Sequence, residues 1–255
     1  MDMKSSRLNL ISVVTFSCLV SIACGSPQLT DRARADNALA SGAIVEGGGV
    51  SDRIGQRPKV LILGDSLTAG LGLEVEESYP AQLQRLSDNA GYTVDIVSHG
   101  VSGDTTAGGL SRLEWVIGGQ GEHGNIVGVI VALGGNDGLR GLSVEQMFAN
   151  LDAIVSRLLS QEIGVLLAGM EAPPNYGNEY TSRFRAVFRE LAEKYDVVYL
   201  PFLLEGVAGD VALNQQDGIH PNAAGARHVA EHLWPALERL FKQLSDDSEV
   251  VSLRQ

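Results

Sequence analysis

Five short apolar runs alternate with amphipathic stretches, and this alternation constrains the fold of the chain more than any other feature. The runs are KVLIL, TVDIVS, IVGVIVAL, GVLLAG and VVYL, at 59–63, 93–98, 126–133, 164–169 and 197–200. Helical patterns lie near 79–90, 106–118, 144–161, 181–195 and 222–243. Several runs are apolar on both faces, as is typical of parallel strands covered by helices. The sequence predicts a three-layer α/β/α sandwich with a five-stranded parallel sheet of flavodoxin-like order 2-1-3-4-5.

The first 24 residues predict export. Lys4 and Arg7 precede a mostly apolar stretch that ends in SIAC, residues 21–24. This ending resembles a bacterial lipoprotein signal in which Cys24 is lipidated, although Ser21 stands where Leu is usual. Ordinary cleavage before Cys24 and an uncleaved anchor are the alternatives. All three place the protein outside the cytoplasm, as a periplasmic protein or a membrane-anchored lipoprotein.

The remaining boundaries follow from changes in composition. After the signal peptide at 1–24, residues 25–57 mix Gly, Ala, Ser and scattered charge without periodicity, which indicates a flexible linker. The folded domain is predicted at 58–245, and residues 246–255 are predicted as a C-terminal tail.

Charge and cysteine usage exclude several classes of function. A net charge of −12 argues against nucleic acid as a partner, because phosphate binding needs clustered Lys and Arg. The two cysteines, Cys18 and Cys24, both lie in the leader. The body of the protein therefore lacks disulfides, thiolate metal ligands and a cysteine nucleophile. The oligomeric state is not readable from the sequence.

Glycine-rich polar segments follow the first three predicted strands at once. They are GDSLTAG, SHGVSGDTTAGG and LGGNDG, which start at 64, 98 and 133. The carboxyl ends of parallel strands meet at one edge of a sheet, and open α/β sheets carry their sites there. We therefore expect these three segments to form one site, with Asp65 holding the first turn through hydrogen bonds to backbone amides.

Ser66 in the first segment is a candidate nucleophile. A serine needs a base, and the base works best when a carboxylate orients it. Among the five histidines, His220 lies in DGIHP after the last strand, and Asp217 precedes it by three residues, a spacing that a tight turn brings into contact. Pro221 and Asn222 can then start the last helix. Alone, this spacing is also typical of an ordinary turn.

Gly103 and Asn136 in the second and third segments are candidate donors to an oxyanion. Gly103 leaves its backbone N–H unobstructed, and Asn136 carries an amide that does not ionise. Such donors stabilise a tetrahedral intermediate, each by roughly a hundred- to a thousand-fold in rate. The alternative is that these loops are only turns.

The ordered set GDSLTAG, GVSGDTT, GGND and DGIHP resembles the GDSL, or SGNH, hydrolase family over about 59–243. LGGNDGLRG and PPNYG resemble its exported bacterial branch of thioesterases, lysophospholipases and arylesterases. The resemblance implies the SGNH fold and a serine esterase acting on small acyl or aryl esters or thioesters, with no cofactor and no metal. By matching position it implies that Ser66 is the nucleophile, His220 the base and Asp217 its partner. Ser66 N–H, Gly103 and Asn136 would form the oxyanion hole.

Five loop residues are candidate contacts for the acyl group. They are Leu71, Leu139, Leu142, Pro173 and Tyr176. Loop packing is the alternative reading for each of them.

Three other functions stay open at this point. HVAEH, His228 to His232, formally matches an inverted zinc-peptidase signature, with a solvated helix face as the alternative. A carbohydrate O-acetylesterase could use the same triad. A surface lipoprotein could use the fold to bind a lipid or glycan without catalysis, although a binder has no need of Asp217 and His220.

Overall fold

The computed structural model describes residues 57–118, 125–246 and 253. All of them lie in the second of the two units into which the chain divides, Gly47–Gln255. The predicted signal peptide with Cys24, and the predicted linker up to residue 56, lie outside the described residues. In the part of the chain that is described, no helix is both long enough and apolar enough to cross a membrane.

The sheet has five parallel strands in the order β2-β1-β3-β4-β5, which confirms the predicted architecture. The strands are β1 Lys59–Gly64, β2 Asp95–Gly100, β3 Ile126–Ala132, β4 Gly164–Ala168 and β5 Val198–Leu200. The central strands β1 and β3 are buried along almost their whole length. Their continuous apolar runs reflect this burial on both faces.

Seven helices flank the sheet in the described residues. They are α1 Ser66–Ala69, α2 Tyr79–Asn89, α3 Thr106–Val116, α4 Gly135–Leu139, α5 Val144–Leu159, α6 Asn178–Tyr195 and α7 Ala223–Asp246. Two 3₁₀ turns, Val75–Glu77 and Pro174–Tyr176, lie in the loops. Helix α2 packs on α7, whereas α5 packs on α3 and α6, which gives the two outer layers. Val229, Leu233 and Leu237 on α7 are buried in the core.

The neighbouring strands β2, β1 and β3 end level with one another. Gly64 at the end of β1 pairs with Gly100 on β2 and with Ala132 on β3. The segments that begin at Asp65, Val101 and Leu133 therefore leave the sheet side by side. This register brings together the three glycine-rich segments that the sequence singles out.

Some boundaries differ from the predicted ones for identifiable reasons. Strand β2 begins at Asp95 rather than at Thr93, because the Thr93 N–H donates to the Leu253 carbonyl at 2.8 Å and not to a strand. In the predicted tail, Asp246 is still helical and Leu253 is buried. Helices α1 and α4 have no counterpart in the predicted pattern, since four or five residues are too few to show a helical period.

Candidate active site

The turn between β1 and α1 fixes Ser66 where the strand leaves the core. Asp65 is the N-cap of α1, and its Oδ1 accepts a hydrogen bond of 3.0 Å from Leu67 N. The expected role of Asp65 in holding this turn is thus seen directly. This turn holds Ser66 in place. The residue is 9% exposed, so it still borders the surface. Leu71 N donates to the Ser66 carbonyl at 3.1 Å and ties down the chain after the helix.

Ser66, His220 and Asp217 form a chain of two short contacts. Ser66 Oγ lies 2.9 Å from His220 Nε2, and His220 Nδ1 lies 2.6 Å from Asp217 Oδ2. An ionised carboxylate only accepts, so Nδ1 carries the proton toward Asp217. In the neutral ring this leaves Nε2 free to accept the proton of Ser66. The structure therefore brings together the three residues that the sequence singles out.

Asp217 is held as a carboxylate. Its hydrogen bond with the His220 ring, supported by the backbone N–H groups of His220 and Ile219, lowers the pKa of Asp217 to about 2. Those two N–H groups donate to its other oxygen, Oδ1, at 3.0 and 2.9 Å. This is the tight turn predicted from the spacing. Asn222 then caps α7 by accepting from Ala224 N and Gly225 N.

Gly103 and Asn136 face the same cavity as Ser66 and His220. Gly103 has φ +84°, a backbone conformation that residues other than glycine rarely adopt. Its carbonyl accepts a hydrogen bond from the Arg140 guanidinium at 2.9 Å. Asn136 Nδ2 donates to Asp65 Oδ2 at 3.2 Å and to the Asp104 carbonyl at 2.9 Å. Both amide hydrogens of Asn136 thus have acceptors within the protein, which the sequence did not indicate.

The carboxyl group of Asp65, which accepts the hydrogen bond from Asn136, is a weaker acid than that of an ordinary aspartate. Burial raises the pKa of Asp65 to about 6, against the hydrogen bond from Leu67 N–H and the charge on His220, which lower it. A buried carboxylate loses its hydration, and the charged form is therefore disfavoured. Above pH 6 an ionised Asp65 lies directly beside the Asn136 amide.

A buried polar network fixes the two loops that carry Gly103 and Asn136. Asp137 accepts from Thr106 N at 2.9 Å and from Thr106 Oγ1 at 2.6 Å. Asn150 Nδ2 donates to the same hydroxyl at 3.0 Å. These hydrogen bonds join helix α4 to the start of α3. Buried polar contacts therefore fix the distance between Gly103 and Asn136, the two candidate donors. Sequence reasoning gave no role to Asp137, Thr106 or Asn150, although Asp137 lies in GGND and Thr106 in GVSGDTT.

Arg112 secures the Gly103 loop from the other side. Its Nε donates to Asp104 Oδ2 at 2.6 Å, and its Nη2 donates to the Gly64 carbonyl at 2.9 Å. The guanidinium therefore joins the end of β1 to the residue that follows Gly103. Both charged side chains are mostly buried, which strengthens such a pair relative to one at the surface.

A cavity of about 700 Å³ opens over Ser66 and His220. Of the predicted contact residues, Leu71, Leu139 and Pro173 line it, whereas Leu142 and Tyr176 do not. Those two residues make hydrogen bonds within the loops outside the cavity. The Tyr176 hydroxyl donates to the Leu139 carbonyl at 3.0 Å, and the Leu142 carbonyl accepts from the Tyr180 hydroxyl. Leu71, Leu139 and Pro173 therefore stay as predicted contact residues, and Leu142 and Tyr176 lie outside the lining of this cavity.

Much of the apolar lining was not predicted. It comes from residues that follow β4 and β5 and from the residue before the base: Met170, Ala172, Phe202, Leu204, Ala208 and Ile219. The same rule that identified Ser66, a position just past the carboxyl end of a parallel strand, also applies to Met170 and Phe202. Without the structure, nothing distinguishes such residues from loop packing.

HVAEH lies on α7 and not in the cavity. His232 Nε2 is 3.0 Å from the Phe202 carbonyl, and His228 is exposed. Within 57–118, 125–246 and 253, no group of three or more His, Cys, Asp or Glu side chains is arranged to hold a metal ion. His228 and Glu231 lie on a solvated helix face, whereas His232 packs against the segment that follows β5.

The chain is similar to known proteins over the domain that carries this site. The model of the GDSL-like Lipase/Acylhydrolase family matches residues 62–228. Esterase TesA of Pseudomonas aeruginosa is 38% identical over 182 residues, 71% of this chain and 89% of TesA. Thioesterase 1/protease 1/lysophospholipase L1 of Escherichia coli K12 is 35% identical over 181 residues, 71% of this chain and 84% of the relative.

A solved structure shares the fold as well as the sequence. The crystal structure of AlinE4, an SGNH-hydrolase family esterase, is similar with a TM-score of 0.61 and 42% identity. The match covers 73% of this chain and 97% of AlinE4.

Proposed function

The chain belongs to the GDSL-like lipase/acylhydrolase family and is a carboxylic ester hydrolase, and from this premise we propose that Ser66 is its nucleophile, His220 its base and Asp217 the residue that orients the base. The observation that carries the proposal is the Ser66–His220–Asp217 chain, with contacts of 2.9 and 2.6 Å, at the floor of the cavity. Because the chain belongs to a family of hydrolases, the alternative of a non-enzymatic lipid- or glycan-binding module is dropped.

The reaction follows from the donors and acceptors in this chain. His220 Nε2 takes the proton of Ser66 as Oγ attacks the substrate carbonyl, and the ionised Asp217 stabilises the imidazolium that forms. The imidazolium then protonates the leaving alcohol or thiol, which leaves an acyl-Ser66 ester. A water then gives one proton to His220 as it attacks the acyl carbon, and His220 returns that proton to Ser66 Oγ as the carboxylic acid leaves.

The oxyanion that develops in each step needs donors. We propose Ser66 N–H, Gly103 N–H and the Asn136 amide for this role, because all three residues border one cavity. The oxyanion would compete for the Asn136 hydrogen that points to Asp65, since that contact of 3.2 Å is the longer of the two. The contact to the Asp104 carbonyl would meanwhile keep the amide oriented.

The cavity favours acyl and aryl groups larger than acetyl. Its volume of about 700 Å³ exceeds what an acetyl group fills, and Leu71, Met170, Phe202 and Ile219 give it apolar walls. Burying a methylene gains about 0.8 kcal/mol, or up to about fourfold in kcat/KM for each added carbon. The substrates proposed are therefore esters or thioesters of medium-length acyl groups or of aromatic acids.

A phosphonate probe and an ester series test this proposal together. A fluorophosphonate should attach to Ser66, located by mass spectrometry of the peptides, and activity should fall in proportion to the labelling. On p-nitrophenyl esters, kcat/KM should rise from acetate to hexanoate because the added methylenes leave water. A maximum at acetate would favour the carbohydrate O-acetylesterase alternative, and labelling at another residue would refute the nucleophile.

We also propose export, with Cys24 lipidated and residues 25–57 acting as a tether. The support is the sequence alone: a short apolar stretch that ends in Cys and then a polar segment. Acyl chains gain about 0.8 kcal/mol per buried CH₂, and stable anchoring takes more than one. Cys24→Ser should move the protein from the membrane fraction to the soluble exported fraction, or stall its processing. Wild-type protein that is already soluble, with an unmodified N-terminus, would refute the anchor.

A further inference from the structure

The nucleophile and the base come from distant parts of the chain, so something must hold their segments at a fixed separation. Ser66 starts α1, which continues into the segment 70–73, whereas His220 lies in the loop 206–222 after β5. Among the described residues, two hydrogen bonds join 66–78 to 206–222. One is the Ser66–His220 contact itself, and the other is made by Gln215.

Gln215 uses its side-chain amide as a clamp between the two segments. Its Nε2 donates to the Leu71 carbonyl at 2.7 Å and to the Pro221 carbonyl at 3.0 Å. A glutamine amide has two N–H donors, and here both are engaged. One hydrogen bond reaches the segment after the nucleophile, and the other reaches the residue that follows the base.

Each end of this clamp continues through the backbone to a reacting residue. Leu71 N donates to the Ser66 carbonyl at 3.1 Å, and Gln215 N donates to the His220 carbonyl at 2.7 Å. Four hydrogen bonds therefore connect Ser66 and His220 by a route separate from their own contact. Other hydrogen bonds hold the rest of the 206–222 loop together, since Asn214 Nδ2 donates to the Val207 and Asp210 carbonyls.

Gly72 leaves room for the Gln215 amide. A Cβ at Gly72 would lie 2.3 Å from Gln215 Oε1, and the φ of Gly72 is +79°. The backbone of the segment after α1 thus passes directly beneath the amide. A side chain at position 72 would displace the amide from this place.

We propose that Gln215 is a positioning residue that holds His220 Nε2 within reach of Ser66 Oγ. The inference rests on the proposed roles of Ser66 and His220. Gln215 contacts neither reacting atom, so it acts through the placement of the base. A displacement of about 1 Å in a catalytic group can cost up to about a hundred-fold in rate.

The decisive pair of variants is Gln215→Ala and Gln215→Glu. The glutamate keeps the shape but replaces the NH₂ group, which carries both donors, with a carboxylate oxygen that faces the Leu71 and Pro221 carbonyls. Both variants should lower kcat on p-nitrophenyl butyrate by about ten- to a hundred-fold and change KM less than about threefold. The rate constant for phosphonylation of Ser66 should fall by the same factor, because it depends on the same base. Gln216→Ala and Gln216→Glu, at the exposed neighbouring position, are the matched controls and should behave as wild type.

The outcomes separate this inference from the proposed function. Wild-type kcat in Gln215→Glu, or a lower melting temperature without loss of kcat in either variant, overturns the role of Gln215. If one variant does not fold, the other decides by the same criterion. An active Ser66→Ala protein would instead refute the proposed function, whatever Gln215 does.

Discussion

Ser66→Ala is expected to lower ester hydrolysis by up to about a million-fold while the protein stays folded. Removing Oγ deletes the atom that attacks, and the members of such a triad act as one unit. The change removes one oxygen from a residue that is 9% exposed, so the packing of β1 and α1 should persist. The measurement is kcat on p-nitrophenyl butyrate together with a melting curve. The phosphonate should no longer label the variant.

Ser102 is the informative control for this result. It is the second serine on the cavity wall, but the structure pairs His220 with Ser66. Ser102→Ala should therefore lose far less activity than Ser66→Ala. If a folded Ser66→Ala protein keeps a tenth of wild-type turnover, or if Ser102→Ala is the inactive variant, the nucleophile is wrongly assigned.

Asn136→Ala is expected to lower kcat by roughly a hundred- to a thousand-fold, about 3–4 kcal/mol of transition-state stabilisation. A donor that engages only the developing charge lowers kcat and leaves ground-state binding unchanged, so KM should move little. We expect this effect although both amide hydrogens have acceptors in the resting protein. The developing oxyanion would take the hydrogen that points to Asp65, because that hydrogen bond is long, at 3.2 Å. kcat, KM and the melting temperature of the variant are the quantities to measure.

Asn136→Asp separates the donor from the shape of the side chain. It keeps the size of Asn136 but puts a carboxylate beside the oxyanion and beside Asp65, whose burial already disfavours its charge. This variant should be at least as slow as Asn136→Ala. A normal kcat in a less stable Asn136→Ala protein would leave Asn136 as a residue that only ties Asp65 to Asp104.

The sequence was sufficient for the sheet and for the identity of the candidate residues. Five apolar runs with helices between them allow few arrangements, and the predicted strand order is confirmed. Ser66, Gly103, Asn136, Asp217 and His220 each follow a strand or precede the last helix. Ser66, Gly103, Asn136 and His220 line one cavity, and Asp217 contacts His220. Their catalytic roles remain predictions until the variants above are measured.

The parts that escaped prediction depend on three-dimensional proximity. Leu142 and Tyr176 have the same character as Leu71 and Leu139, and only the path of their loops keeps them out of the cavity. The acceptors of Asn136 could not be predicted, because Asp65 is 71 residues away and a carbonyl carries no sequence signal. Gln215 escaped for the same reason, since its partner Leu71 offers a backbone atom 144 residues away.

The distance along the chain between Ser66 and His220 has a consequence for folding. Their contact spans 154 positions, and strands β2 to β5 all lie between them. Loops of this length close late, because the entropy of closure has to be offset by contacts formed earlier. The contact between the nucleophile and its base is therefore expected to form late, after the strands that lie between them have paired. A newly made chain passes through most of its folding as a catalytically silent protein.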